Sequence, residues 1–528
     1  MIFRSPFPDV PIPAMPLTSF VLGDANRHGA KPALVDASTG ATMSYEALAA
    51  DVRAVAAGLA QRGFARGDVL GIYAPNAIDY AVALFAVASL GGIVTPVSAL
   101  ATTGELARQL ADAGASYLLA TPALLDNARA AQVTTPIRET FVIGSAPGAT
   151  PFAALRSDAT AVPEVAIDPE DVVLLPYSSG TTGLPKGVMI THRSLVANLA
   201  QSGPALGIAK DDVFFCLPPF SHIYGAWLLS YALRHGKTLV FLPRFELPLL
   251  LDAIQRYRVT DAFLVPPVVL ALANAPAADD YDLSSLRRIN SAAAPLAREL
   301  ARRCQERIGC TLTQGYGMTE ASPATHFMPM PGKRDKLGSI GPSLPNTECR
   351  IVDLVTGVDL GPNETGELWV RGPQVMKGYL NRPDATASAV DGDGWLRTGD
   401  IAYVDDDGDY YIVDRLKEMI KVRAYQVAPA ELEAVLLAHP AVADAAVTPV
   451  PDDEAGEIPK AWIVLRDEAT ADEIIAYVTP RVASYKKIRA VEFIDQIPKS
   501  PSGKILRRVL VERDRAAAPA RGEVAGVR

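Results

Sequence analysis

The stretch Tyr177-Ser-Ser-Gly-Thr-Thr-Gly-Leu-Pro-Lys-Gly187 holds four aliphatic hydroxyls, three glycines and one lysine. A strand-like run, residues 172–175, leads into it, and a helical run opens near Thr191. No other segment constrains the chain as much. Gly180, Gly183 and Gly187 permit backbone conformations that a side chain would block. Ser178, Ser179, Thr181 and Thr182 offer hydroxyl donors beside exposed backbone N–H groups, and Lys186 adds a positive charge. Such a loop suits a polyphosphate. It is not a Walker loop, because Gly187 follows Lys186 where Ser or Thr is required. On composition alone, a plain surface loop is the competing reading.

Around this loop, helical and strand patterns alternate over the first four hundred residues or so. Leu48, Val52, Val55 and Leu59 share one helical face, and Gly63 follows as a stop. Residues 69–73 read as a strand, and Asn76 is placed to cap the next helix. Residues 80–94 are too short for a membrane span and are broken by Gly91-Gly92, so they read as a buried helix and then a strand. Further strands are expected at 213–217, 238–242 and 262–265, with a helix at 249–258. This alternation predicts an α/β fold, a large N-terminal domain with mainly parallel sheets.

Beyond about residue 403 the texture changes. Asp405-Asp-Asp-Gly-Asp409 marks a turn. Helices at 430–438 and 471–482 and strands at 443–450, 460–465 and 491–494 then outline a small α+β domain. The expected division is 1–414 and 415–528. The chain has 528 residues and a formal charge of −9 with no basic run, which argues against nucleic acid as a partner. Cys216, Cys304, Cys310 and Cys349 show no CxxC spacing and read as buried thiols of a cytoplasmic protein. The first ten residues lack the apolar core of a secretory signal. The tail from 516 is expected to fray.

Four more segments join the first. They are Gln314-Gly-Tyr-Gly-Met-Thr-Glu320, Gly394-Trp-Leu-Arg-Thr-Gly-Asp400, Asp414-Arg-Leu-Lys-Glu418 and Pro498-Lys-Ser-Pro-Ser-Gly-Lys504. Together the five resemble, in order, the signatures of the acyl-adenylate-forming superfamily. Gln426-Val-Ala-Pro-Ala-Glu-Leu-Glu433 and Phe220-Ser-His-Ile-Tyr224 are most similar to 4-coumarate– and cinnamate–CoA ligases.

The resemblance implies ATP, Mg²⁺ and coenzyme A. Ser178, Ser179, Gly180, Thr181, Thr182 and Lys186 would hold the β- and γ-phosphates. Thr319 would contact the α-phosphate, and Glu320 would ligate the metal, a hard cation that prefers oxygen. Gln314, Gly315, Tyr316 and Ala294 would flank adenine. Asp400 would accept both ribose hydroxyls, assisted by Arg415. Lys504 would bridge carboxylate and α-phosphate. Lys417 marks the hinge of a mobile lid, and Lys421 and Gln426 serve the half-reactions. His222 would orient the carboxylate and gate the thiol's path.

Coenzyme A would meet Arg244, Arg423 and Ala424. Ala424 replaces a family glycine, so backbone freedom is lost beside the pantetheine path. The acyl pocket would be lined by Ile223, Tyr224, Leu228, Asn290, Ala293, Gly315, Pro323 and Ala324. Asn290 stands where relatives usually carry an apolar residue; it either meets a ring hydroxyl or faces away.

The expected substrate is an arylpropenoic acid, with a medium-chain fatty acid as the alternative. A luciferase-like oxidation of the adenylate, the loading of a carrier protein and non-catalytic acyl binding are the other readings. The expected partner is this small-molecule acid, with no membrane association, in a monomer or weak homodimer.

Overall fold

A computed structural model describes residues 1–178, 185–207, 209, 211–329, 336–422, 425–452, 455–500 and 503–517. It divides into a large unit, Met1–Thr398 with Tyr403–Tyr411, and a small unit, Gly399–Ala402 with Ile412–Arg528. Two strands, Leu396–Val404 and Tyr410–Arg415, carry the crossings between them.

The large unit contains two sheets of the expected mainly parallel kind. In one, the strands run in the order Ala324–Phe327, Thr311–Gly317, Arg288–Ser291, Asp261–Leu264, Val213–Cys216, Thr238–Phe241, Pro32–Asp36, Thr42–Ser44. Every pairing from Thr311–Gly317 to Pro32–Asp36 is parallel, and the two edge strands are antiparallel. The other is built on Val69–Tyr73, Ile93–Val97, Tyr117–Ala120 and Glu139–Val142, all parallel. At its far side Val172–Leu174 pairs antiparallel with Lys186–Thr191.

Helices Tyr45–Gln61, Ile78–Ser89, His192–Leu206 and Ile223–Arg234 share one core with side chains from both sheets. Ile78–Ser89 is buried on every side from Tyr80 to Ala88. Its sequence is accordingly apolar all round, without the stripe of a surface helix.

Local chemistry sets several boundaries. Thr191 caps the helix His192–Leu206 by accepting from Ser194 N–H, and left-handed Gly207 ends it. The turn at Asp405 forms because its Oδ1 accepts the N–H groups of Asp407 and Asp409.

Asn76 corrects one expectation. Ala77 occupies the N-cap of Ile78–Ser89 without a side-chain bond. The Asn76 carboxamide instead donates to the carbonyls of Pro218 and Leu242 and accepts from Phe220 N–H. Three backbone groups from distant segments outcompete a local cap. The helix expected over 471–482 stops at Val478 and continues as the 3-10 turn Thr479–Arg481, because Pro480 cannot extend it. All four cysteines are buried and free, as expected.

In the small unit, Tyr425–Val427, Ile420–Val422, Gly456–Leu465 and Val442–Asp452 form an antiparallel sheet, with Ala490–Phe493 added parallel to Gly456–Leu465. Helices Pro429–Leu437 and Ala471–Val478 close its own core. Among the described residues no helix is long and apolar enough to cross a membrane.

Candidate active site

In the large unit, Glu320 sits in the 3-10 turn Thr319–Ala321, just after the strand Thr311–Gly317. Its residue is 7% exposed. Oε1 accepts the Ser178 hydroxyl at 3.1 Å and the Tyr379 hydroxyl at 2.8 Å. Burial, then the Glu320 charge, pushes the Tyr379 phenol up, so it remains a donor. Lys186 Nζ lies 4.9 Å from the centre of the Tyr379 ring, a cation–π distance.

The strand Lys186–Thr191 organises this cluster. Ser178 pairs with Lys186 across one edge, and Tyr379 pairs with Val188. The Glu320 turn is pinned where its carbonyl accepts Met376 N–H at 2.8 Å. Gly317 is required beneath the turn, since a Cβ there would lie 2.1 Å from the Pro323 carbonyl oxygen.

A second group lies at the helix Ile223–Arg234. His222 is its N-cap, with Nδ1 accepting Tyr224 N–H at 3.2 Å. Gly225 lets this turn approach the preceding chain, because a Cβ would fall 2.1 Å from Pro219 O. The Tyr224 hydroxyl donates to Asn290 Oδ1 at 3.3 Å, and Asn290 Nδ2 donates to Thr313 Oγ1 at 3.1 Å. Asn290 and Thr313 face each other on adjacent parallel strands. Asn290 is fully buried, so both halves of its amide need these partners.

Trp227 stacks on Tyr224 and Tyr231 and lies 5.5 Å from Phe327. Phe327 in turn covers Gly315, where a Cβ would come within 2.5 Å of its ring. Ile223, Leu228 and Ala324 are buried. Asn198 grips both backbone groups of Ala324. Gln314 is 5% exposed, and its Nε2 has no partner among the described residues.

In the small unit, Asp400 is buried and its Oδ1 lies 3.3 Å from Arg415 Nε. Lys421 faces Gln426 across the hairpin of Ile420–Val422 and Tyr425–Val427. Lys504 N–H donates to Ser500 Oγ at 3.1 Å, and Ser500 N–H returns a bond to Lys504 O at 2.8 Å. Lys417 is exposed in the turn after Arg415.

Residues 23–380 match the AMP-binding enzyme family, and residues 431–504 match the AMP-binding enzyme C-terminal domain. The chain belongs to the AMP-binding enzyme family. It is 44% identical to 4-coumarate–CoA ligase 5 of Oryza sativa subsp. japonica, over 98% of each chain. It is 43% identical to a 4-coumarate–CoA ligase of Pinus taeda, over 97% of each. Among solved structures, it is similar to the anthranilate CoA ligase AuaEII in complex with anthranoyl-AMP, with TM-score 0.89, 27% identity and coverage of 96% and 98%. It is also similar to ATP-bound MatB from Rhodopseudomonas palustris, with TM-score 0.84, 28% identity and coverage of 94% and 99%.

Within this AMP-binding enzyme the structure brings Ser178, Lys186 and Glu320 together, and separately Tyr224 and Asn290. Arg244 lies at the surface, paired with Glu246 at 2.6 Å. Ser179, Gly180, Thr181, Thr182, Arg423 and Ala424 lie outside the described residues, as does the side chain of Gln426. Sequence reasoning missed Tyr379 and Thr313. Tyr379 sits in an unremarked Gly-Tyr pair, and only its strand pairing delivers it to Glu320. Thr313 is one residue before Gln314, but its partner emerges only from the register of two strands.

Proposed function

We propose that this enzyme is an ATP-dependent acid–CoA ligase for a 4-coumarate-type aryl acid. The carboxylate attacks the α-phosphorus of ATP, forming an acyl adenylate and releasing pyrophosphate. The thiol of coenzyme A then attacks the acyl carbon, forming the thioester and releasing AMP. The observation that carries this reading is the Ser178–Glu320–Tyr379 cluster. It joins the hydroxyl-rich loop to the Gln314–Glu320 segment, 142 residues apart in sequence. The near-full-length likeness to 4-coumarate–CoA ligases supports it.

The first step brings two anions together, so charge must be neutralised and an in-line geometry held. Lys186 and Lys504 are the cations assigned to that task, with Lys504 bridging the acid and the α-phosphate. Thr319 contacts the α-phosphate. Gln314 Nε2, which has no partner among the described residues, suits an adenine nitrogen, with Gly315, Tyr316 and Ala294 around the base. Asp400 and Arg415 take the ribose. His222 orients the acid. Lys421, Gln426, Arg244, Arg423 and Ala424 serve the thioester step, and the lid turns about Lys417.

Glu320 fits a magnesium ion that arrives with the phosphates. It is a single buried carboxylate beside hydroxyls, and among the described residues no group of three or more acidic, histidine or cysteine side chains could hold a metal. Bound there, the ion would neutralise phosphate charge.

Having donated to Asn290, the Tyr224 oxygen can still accept a ring hydroxyl, which favours an aryl acid with a polar ring substituent over a fatty-acid tail. Pyrophosphate release measured across cinnamates, benzoates and fatty acids, with and without coenzyme A, tests the proposal. Turnover of octanoate but of no cinnamate would replace the aryl acid by the fatty acid.

A further inference from the structure

Ion pairs anchor both ends of the Lys504 loop in the small unit. On its N-terminal side, Lys499 Nζ lies 2.6 Å from Asp444 on the strand Val442–Asp452. On its C-terminal side stands Arg507, the first residue of the helix Arg507–Ala517. Its Nη2 donates to both carboxylate oxygens of Glu433, at 2.7 and 2.9 Å, on the helix Pro429–Leu437. Nη1 donates to Glu418 of the Asp414–Glu418 segment. Nε donates to Val447 O at 3.2 Å, while Glu433 accepts Val447 N–H at 2.8 Å.

Between the anchors the loop closes on itself. Lys499 and Ile505 form an antiparallel bridge, and Leu506 N–H donates to Pro498 O at 2.9 Å. The Arg507 side chain is 15% exposed and that of Glu433 10%. A guanidinium so placed serves three acceptors from three segments at once, which a single ammonium cannot do with the same fixed fork.

We propose that Arg507 is a positioning residue for Lys504. It ties the base of the lysine loop to Glu418 and to the Glu433 helix, so the Lys504 ammonium is delivered from a fixed platform. The inference rests on the reading that Lys504 serves adenylation. Arg507 is three residues from Lys504 and touches no reacting group in this assignment. It acts by preventing a slip of the loop base, and a displacement of about 1 Å at a reacting centre costs on the order of a hundredfold in rate. Lys499 and Asp444 restrain the opposite side of the same loop.

The test uses the full chain with Arg507→Met, Arg507→Lys and Lys499→Met. Three quantities are measured: ATP–pyrophosphate exchange with 4-coumarate, thioester formation from synthetic coumaroyl adenylate, and thermal unfolding. Arg507→Met should lower kcat for exchange by roughly tenfold to a hundredfold. KM for ATP should stay within about twofold and the thioester step within about threefold of the parent. Arg507→Lys should recover part of the exchange rate, and Lys499→Met should show a smaller loss with the same split. Equal loss in both half-reactions, a change confined to KM, or unchanged exchange overturns the proposal. If Arg507→Met does not fold, the other two variants decide by the same criteria. Failure of the parent to exchange pyrophosphate with any acid, or full exchange by Lys504→Ala, overturns the underlying reading instead.

Discussion

The two units hold their candidate residues by different physics. In the large unit the groups are joined mainly by hydrogen bonds between neutral or singly charged partners: Tyr224–Asn290–Thr313, and Ser178 and Tyr379 on Glu320. In the small unit the restraints are ion pairs. Lys499 holds Asp444, Lys486 holds Glu431, and Arg507 holds Glu433 and Glu418. The large unit has helices packed between two sheets and can bury polar groups completely. The small unit has one sheet, and its anchors rely on charge: Glu433 is buried against Arg507, while Lys499 and Asp444 are half-buried.

pH separates the two most strongly. Burial pushes His192 down to about 4 and His326 down to about 3, from an ordinary 6.5. The unfolded chain therefore binds their protons first as pH falls. Their contribution is fully present above about 6.5 and is lost on the way down to the folded values, by roughly 3 kcal/mol for His192 alone. In the small unit, burial pushes Asp414 and Glu433 up against the pull of Arg507. Their contribution has the opposite sign, present at low pH and lost as pH rises through the folded values. Hydrogen exchange resolved by peptide should show protection in the large unit falling between pH 6.5 and 4, ahead of the small unit. Simultaneous loss in both would break the contrast.

Among the described residues of the large unit, Arg288 and Asp261 form a buried ion pair at 2.6 Å, and it tests the same contrast from the other side. Asp261→Ala leaves a buried guanidinium with only the Leu206 carbonyl as acceptor among the described residues and should cost about 3–5 kcal/mol. Chemical denaturation reads this directly. By comparison Lys486→Met, at an exposed pair of the small unit, should cost no more than about 1 kcal/mol.

Function gives two sharper comparisons. Lys504→Ala should slow adenylation by about two to three powers of ten, the scale for losing one charge-stabilising donor. Thioester formation from supplied adenylate should suffer much less, as stopped-flow measurement of each half-reaction would show. Smallest is the expected effect of Asn290→Val. It removes the acceptor of the Tyr224 hydroxyl and should shift the ratio of kcat/KM for 4-coumarate over cinnamate about tenfold toward cinnamate. An unmoved ratio would mean that the Tyr224–Asn290 pair does not read the ring.

Much of the fold was legible because local rules agree with it. The helical face from Leu48 to Leu59, the strand over 69–73 and the Asp405 turn all formed as expected. Asn76 was misread because its carboxamide serves carbonyls from two distant segments. The family and its order of motifs were legible in five short segments. The supporting residues were not. Tyr379, Thr313 and Arg507 carry no motif, and each gains its place through partners 23 to 89 residues away.

The sequence by itself determined which chemistry this chain is equipped for, since hydroxyls, glycines, lysines and carboxylates at set spacings act through their own functional groups. Tertiary structure alone decided which of these groups are held, and by what. The Glu320 carboxylate is buried against Ser178 and Tyr379 because three strands fix their register. Asn290 meets Thr313 because two parallel strands align them. Arg507 reaches Glu433 because a helix and a loop close on the same sheet. Such contacts depend on packing between segments remote in sequence, and no local pattern encodes them.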